Sequence, residues 1–204
     1  MEAGRLLGEH LRGLGFEADA IVLGIPRGGV ATAAEVAKVL GAPLDVALAR
    51  KVGAPGNREL AIGAVGPGGQ AVVDQALARR VGATDEWLAR AIDAERAEVA
   101  DRLRRFRGER PPLEVAGRTV IVVDDGVATG STAAAVGRWL GQAGAARRVL
   151  AVPVAPPSTA ERLGDNYDDV VALATPEAFF AVGEFYTDFR QVTDDEVREL
   201  LASP

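Results

Sequence analysis

Two adjacent carboxylates, Asp124 and Asp125, mark the point where the strongest strand-like run of the chain, 119–124 (TVIVVD), meets a loop of small and hydroxyl residues. The loop leads directly into a helix-like segment. Ligands of open α/β sheets bind at the carboxyl ends of the strands, and a helix N-terminus suits a phosphate because its N–H groups are unpaired. Carboxylates would repel a bare phosphate, but they could bind the hydroxyls of a sugar phosphate. The pattern therefore indicates a sugar-phosphate site.

The loop supplies several groups that such a site needs. Thr129, Ser131 and Thr132 can each donate a hydroxyl hydrogen bond, and Gly130 lets the backbone approach a ligand closely. The alternative is an ordinary strand-to-helix turn in which Asp and Thr merely cap the helix. A single Asp or Thr would favour that alternative, whereas the whole run DDGVATGST after VIVV favours a ligand site.

Two other segments carry residues that could meet an anion. The run 24–29 (GIPRGG) follows a predicted strand at 20–25 and combines the charge of Arg27 with the permissive backbone of Gly28 and Gly29. Arg50 and Lys51 follow a second predicted strand at 44–49. An ordinary turn for the first segment and a solvated pair of cations for the second remain open. Neither segment has the spacing of a dinucleotide fingerprint or of a P-loop.

Composition excludes several other chemistries. There is no Cys and only one His, His10, so a thiolate nucleophile and a cysteine zinc site are excluded and a Ser-His-Asp triad is disfavoured. The net charge of −6 argues against nucleic acid as the main partner. No apolar run approaches the roughly 20 residues of a membrane span, and the charged N-terminus does not resemble a secretory signal. We expect a cytoplasmic protein.

Short β-branched runs alternate with helical patterns, which is typical of a parallel α/β sheet. We expect a single domain over 1–204. The charged segment 85–107 predicts a helix with a narrow apolar stripe, lying on the sheet or packing against a second subunit. Further strands are predicted at 148–154 and 169–174, a small hairpin at 60–65 with 71–73, and helices over 30–40, after 131, near 157 and from 193.

The segment from Asp124 to Thr132 resembles the signature of type I phosphoribosyltransferases, in which two acidic residues precede x-x-x-[DA]-T-G-[GSK]-T. Both acids, Thr129, Gly130 and Thr132 fall in register. In that family the acids hold the ribose 2- and 3-hydroxyls of 5-phosphoribosyl 1-pyrophosphate (PRPP). The resemblance therefore implies that Asp124 and Asp125 are the catalytic carboxylates. The residues implied to hold the 5-phosphate are Ala128, Thr129, Gly130, Ser131 and Thr132.

The resemblance also implies a fold and a pyrophosphate site. The fold would be a twisted, mostly parallel sheet of about five strands flanked by helices. Its core would cover about 15–175, its flexible loop about 52–74 with Arg58 and Glu59, and its hood about 175–204 with the N-terminal segment. Mg²⁺ would be bound mainly through PRPP, with no separate protein metal site. The pyrophosphate would meet Arg27, Gly28, Gly29 and Lys51, with Arg50 nearby.

The C-terminal run PEAFFAVGEFYTDFRQ is similar to the hood of purine phosphoribosyltransferases. That similarity implies that Phe180 stacks on the base. Asp188 would lie near magnesium and pyrophosphate, although one extra residue leaves its register open. Packing between hood and core is the alternative for the other three hood phenylalanines, Phe179, Phe185 and Phe189.

The implied reaction transfers the phosphoribosyl group from PRPP to a nitrogenous base and releases pyrophosphate. Ala128 replaces the Asp of hypoxanthine-guanine enzymes, and the strand VLAVPVAPP lacks the Lys with which those enzymes recognise the 6-oxo group. Both differences count against a 6-oxopurine that is bound in the same way. A non-catalytic sensor of PRPP or nucleotides on the same fold is the alternative function. The synthetase that makes PRPP is disfavoured because the chain is short and has no ATP motif. Since this fold often dimerises, a homodimer remains open.

Overall fold

The computed structural model describes residues 2–17, 19–108 and 110–202 and contains two sheets. Five parallel strands form the main sheet in the order β2-β1-β6-β7-β8, and three antiparallel strands form a smaller sheet in the order β3-β4-β5. The strands are β1 (Ile21–Gly24), β2 (Leu44–Val46), β3 (Arg50–Ala54), β4 (Asn57–Val65), β5 (Ala71–Val73), β6 (Thr119–Val123), β7 (Arg147–Val154) and β8 (Asp169–Ala174).

Seven α-helices and one 3-10 turn complete the described part of the chain. None of these helices is long and apolar enough to cross a membrane. The helices are α1 (Glu2–Gly13), α2 (Gly28–Leu40), α3 (Gln75–Arg80), α4 (Asp85–Arg107), α5 (Ser131–Gln142), α6 (Pro157–Leu163) and α7 (Asp194–Ala202), and the 3-10 turn is Val182–Phe185.

Helices cover both faces of the main sheet, because the apolar residues of its central strands alternate between two cores. In β6, Ile121 and Val123 belong to the core beneath α1 and α2, whereas Val120 and Val122 belong to the core beneath α5. Burial on both faces explains why the strand reads as a continuous apolar run. The predicted mostly parallel sheet of about five strands is confirmed.

The register of the central strands brings two predicted loops to the same edge. Gly24 at the end of β1 pairs with Val123 at the end of β6, and the amide of Ile25 donates to the carbonyl of Val123 at 2.8 Å. The chain then continues from β1 into 24–29 and from β6 into the carboxylates. Because the strands are parallel, both loops leave the sheet at its carboxyl edge.

The segment expected to form a flexible loop over 52–74 has regular structure. It contributes most of β3 and all of β4 and β5, and β4 pairs with β5 as the hairpin pattern predicts. Its apolar side chains, including Val52 and Ile62, share a core with α4 and α7. The sequence predicted a small hairpin in this segment but not the third strand, β3, and the mobility of the segment stays a prediction.

The two ends of the chain lie on different parts of the fold. Helix α1 packs on α2 and the main sheet rather than in the hood. Gly8 allows the two helices to approach closely, because a Cβ there would lie 2.8 Å from Val39 Cβ. Helix α7 packs on α2 and α4, and Thr193 caps it by accepting from the Glu196 amide at 3.2 Å. The hood is therefore residues 175–193, irregular except for the 3-10 turn, followed by α7.

Candidate functional site

The two carboxylates and the glycine-containing loop are in direct contact. A Cβ on Gly28 would collide with the Asp125 carboxylate, and a Cβ on Gly29 would lie 2.8 Å from Asp124 Oδ1. The Pro26–Arg27 peptide bond just before these glycines is cis. Any side chain at either position would displace a carboxylate, so the glycines are required by this close approach rather than by an unusual φ.

The local environment favours the protonated form of the acidic pair, Asp124 and Asp125. Burial, and next the negative charge of Asp125, raise the pKa of Asp124 well above its ordinary value. Burial also raises the pKa of Asp125. The Asp125 amide donates to Asp124 Oδ1 at 2.9 Å and fixes the orientation of that carboxyl. Hydroxyl donors from a ligand would relieve the cost of holding two charges in this place.

The loop residues 128–132, which we call the phosphate loop, form the N-terminus of α5. Gly130 has a φ of 72° directly before the helix, a conformation that glycine adopts at little cost. The side chains of Thr129, Ser131 and Thr132 are exposed, and the Thr129 and Ser131 hydroxyls are 3.3 Å apart. Together with Asp124 and the hood residue Val182, the loop lines a concavity of about 210 Å³. Its hydroxyls and helix N-terminus suit an anion.

Helix α6 supports the phosphate loop from behind. The hydroxyl of Thr159, a buried residue, donates to the carbonyl of Ala128 at 2.8 Å, and Arg162 Nη2 donates to the carbonyl of Thr129 at 3.0 Å. Sequence reasoning missed both residues. No local pattern could have identified them, because their partners lie about thirty positions earlier in the chain.

One cavity of about 860 Å³ brings together most of the predicted site. It lies at the carboxyl edge of the main sheet, between the acidic pair, the loop 24–29, the start of α5 and β3. Gly29 lies beneath the acidic pair, and Ala128, Thr129 and Gly130 line the neighbouring concavity. The predicted residues lining the large cavity are Arg27, Gly28, Arg50, Lys51, Arg58, Glu59, Asp124, Asp125, Ser131 and Thr132.

Two cations of β3 are held by carboxylates at the rim of this cavity. Lys51 Nζ lies 2.8 Å from Glu59 Oε2, and this contact lowers the pKa of Glu59. Arg50 Nε lies 2.5 Å from Glu95 Oε2 of α4. A second α4 residue, Arg102, also lines the cavity. Sequence reasoning did not identify Glu95 and Arg102, because it described only the apolar stripe on the buried face of α4.

The hood aromatics pack mainly with one another. Phe179 and Phe185 are stacked with ring centroids 5.4 Å apart, and the ring centroids of Tyr186 and Phe189 lie 5.1 Å apart. Phe180 is 86% exposed and lines neither the large cavity nor the concavity around the phosphate loop. The structure therefore does not bring Phe180 to the acidic pair, and its stacking on a base stays a prediction. The role of the exposed Asp188 is likewise a prediction.

Tyr186 connects the hood to the acidic pair and is a second feature that sequence reasoning missed. Its hydroxyl donates to the backbone carbonyl of Asp125. Burial, and next the charge of Asp125, raise the pKa of Tyr186 well above its ordinary value, so the hydroxyl remains a donor at neutral pH. The aromatic-rich hood sequence suggested packing but did not show which ring would reach the carboxylates.

The family model for the phosphoribosyl transferase domain matches residues 1–190. The chain belongs to this family. The family resemblance identified from the acidic pair and the phosphate loop is thus confirmed over residues 1–190, and the role of each site residue stays a prediction.

Relatives of this phosphoribosyl transferase domain support the assignment. Two proteins from strains CDC 1551 and H37Rv of Mycobacterium tuberculosis, each named "Putative phosphoribosyl transferase", are 45% identical over 204 residues. That alignment covers 98% of this chain and 45% of each relative, so the chain spans about half the length of the curated relatives it matches. The crystal structure of TT1426 from Thermus thermophilus is 49% identical with a TM-score of 0.89, covering 98% of this chain and 94% of that one.

The acidic pair is the part of the site that could meet a metal ion. Among residues 2–17, 19–108 and 110–202, no group of three or more His, Cys, Asp or Glu side chains is arranged to hold one. Two carboxylates beside a cavity lined with cations suit a divalent ion that shares its coordination with a phosphorylated ligand. This donor set is compatible with Mg²⁺ bound mainly through PRPP.

Proposed function

We propose that this phosphoribosyl transferase domain moves the 5-phosphoribosyl group from PRPP to a nitrogenous base and releases pyrophosphate. One observation carries the proposal: the acidic pair, Gly28 and the first residues of α5 line the same cavity as several cations. A sugar phosphate with a pyrophosphate leaving group needs this combination of hydroxyl acceptors, an anion site and positive charge.

Each group has a defined task in this proposal. Asp124 and Asp125 accept hydrogen bonds from the ribose 2- and 3-hydroxyls, the phosphate loop binds the 5-phosphate, and Arg27 and Lys51 contact the pyrophosphate. The base nitrogen forms a bond to the anomeric carbon as the bond to the pyrophosphate oxygen breaks, and that oxygen keeps the electron pair. A carboxylate near the ribose stabilises its transient positive charge, so catalysis rests on positioning and electrostatics.

Mg²⁺ is part of the proposal through the substrate. Bound to PRPP, it would reduce the negative charge of the departing pyrophosphate. The acidic pair would then face a ligand that carries both a cation and hydroxyl donors, which favours the ionised carboxylates.

The acceptor is left as a nitrogenous base of unspecified type. Ala128 and the absence of Lys from β7 count against a 6-oxopurine recognised through those positions. Stacking of the base on Phe180 is part of this proposal, and that ring is exposed to solvent in the structure. A cytoplasmic location and a homodimer stay predictions that accompany this function.

Calorimetric titration of PRPP with Mg²⁺ tests the site directly. We expect micromolar binding by the wild type that is lost in the Asp124→Asn/Asp125→Asn variant. The matched control is Asp85→Asn/Glu86→Gln, which removes two adjacent acids from the exposed start of α4 and should leave binding unchanged.

A panel of nucleobases, monitored by pyrophosphate release, then separates an enzyme from a sensor. Release with at least one base supports the transferase. PRPP binding without release for any base favours the non-catalytic sensor, and no PRPP binding by the folded wild type contradicts the proposal.

A further inference from the structure

Helix α4 presents two charged residues to the cavity. Glu95 and Arg102 are seven positions apart, so they lie on the same face of the helix two turns apart. Both line the large cavity, whereas Leu88, Val99, Leu103 and other apolar residues of α4 are buried against the small sheet and α7. The helix therefore forms one wall of the candidate site in addition to packing on the fold.

The cations that line the cavity differ in whether the protein already neutralises them. Arg27 lies 3.5 Å from Asp194, Arg50 pairs with Glu95 and Lys51 pairs with Glu59. Arg58 and Arg102 have no ion pair within the described residues, and of these two only Arg102 is partly buried. A guanidinium withdrawn from water without a carboxylate partner loses solvation, and an anionic ligand would restore that loss.

The position of Arg102 indicates which part of the ligand it would meet. It lines the large cavity together with Arg27, Arg50 and Lys51, but it does not line the concavity around the phosphate loop. A planar guanidinium can donate two parallel hydrogen bonds to phosphate oxygens, which suits a group with several anionic oxygens.

We infer that Arg102 of α4 is a pyrophosphate-binding residue that donates to the leaving group of PRPP. This inference rests on the proposed function. It gives the charged helix α4 a part in the site: Glu95 holds Arg50 in place, and Arg102 supplies a cation that no carboxylate of the described residues neutralises.

Calorimetry with two separate probes, inorganic pyrophosphate with Mg²⁺ and ribose 5-phosphate, tests this role. Loss of a charge-assisted contact predicts about tenfold or greater weakening of pyrophosphate and PRPP binding in Arg102→Gln. Ribose 5-phosphate binding should not change. Arg104→Gln, an exposed arginine on the same helix, is the matched control and should bind all three ligands as the wild type does. Arg102→Lys should retain part of the affinity because it keeps the charge but not the fork geometry.

The outcomes separate this inference from the proposed function. Wild-type affinity for pyrophosphate and PRPP in folded Arg102→Gln would overturn the role of Arg102 and leave the function standing. Equal weakening of ribose 5-phosphate would overturn the assignment to the leaving group. Absence of PRPP binding by the wild type would overturn both, and the melting temperature of each variant verifies that it is folded.

Discussion

At the scale of single residues, the acidic pair lies in an environment where ionising the two carboxyls costs free energy. Asp124 and Asp125 face the glycines that begin α2. Burial raises the pKa of both carboxyls, and the negative charge of Asp125 raises that of Asp124 further. A ligand with hydroxyl donors or a cation would offset this cost. The unliganded protein therefore loses folding stability at this site, which is arranged to bind a ligand.

Replacing Asp124 with Asn should stabilise the free protein at high pH. A raised pKa in the folded state means that the protonated form folds better, so stability is lost as the pH rises from the ordinary Asp value of 3.8 through the raised folded value. The variant carries no charge to be penalised. We expect its melting temperature at pH 8 to exceed that of the wild type by roughly 2–4 °C, equivalent to about 1 kcal/mol, with a smaller difference at pH 5.

Thermal unfolding at the two pH values provides the measurement. Asp19→Asn, at an exposed position, is the control and should show no such pH-dependent gain. A variant that is less stable than the wild type at pH 8 would contradict the prediction.

At the scale of elements, the conformation of the phosphate loop depends on helix α6, whose residue Thr159 does not line the ligand cavity. Helix α6 holds the loop through two backbone carbonyls, with Thr159 donating to Ala128 and Arg162 to Thr129. Backbone groups held in this way keep the loop in one conformation before a ligand arrives. Such preparation reduces the entropy lost on binding.

Thr159→Val should weaken both stability and phosphate binding. The substitution keeps the buried shape but removes the donor at 2.8 Å, which costs about 1 kcal/mol of unfolding free energy. Affinity for ribose 5-phosphate should fall a few-fold because the loop becomes less fixed. Urea denaturation and calorimetry are the measurements, and Ser158→Ala, at the exposed neighbouring position, should change neither. Unchanged binding in Thr159→Val would show that α6 does not position the loop.

At the scale of the whole molecule, a buried ion pair joins α4 to the main sheet. Arg107 Nε and Nη2 donate to the two carboxylate oxygens of Asp45 at 2.9 and 2.8 Å, and the amide of Leu113 donates to the same carboxylate. The side chains of Arg107 and Asp45 are only 8% and 5% exposed. This contact fixes the end of α4 beside β2 and thereby helps to position the wall that carries Glu95 and Arg102.

Asp45→Asn should be strongly destabilising because it leaves the Arg107 charge buried without its partner. The expected loss is about 3–5 kcal/mol of unfolding free energy. Asp101→Asn breaks an exposed pair with Arg105 on the same helix and should cost about 1 kcal/mol or less. Urea denaturation of both variants is the measurement, and similar losses for the two would contradict the distinction between the buried pair and the exposed one.

The sequence by itself predicted most of the elements and the centre of the candidate site. The helix predicted over 85–107 and the strand over 169–174 match α4 and β8, because apolar periodicity and capping residues are local signals. The acidic pair and the phosphate loop could also be recognised from the sequence, because a strand, two acids, a glycine-containing loop and a helix follow one another directly. Within the run 52–74 the hairpin was predicted, but β3 and the start of β4 were not, because Gly and Pro residues concealed strands that depend on pairing with one another.

The tertiary structure alone decided which distant side chains meet the site. Thr159 reaches the loop from α6, Tyr186 reaches Asp125 from the hood, and Arg102 faces the cavity from α4. Each of these contacts joins segments that lie far apart along the chain. Packing of the helices on the two sheets sets them, and no pattern within one segment carries that information, because local signals report how a segment folds and not what it will face.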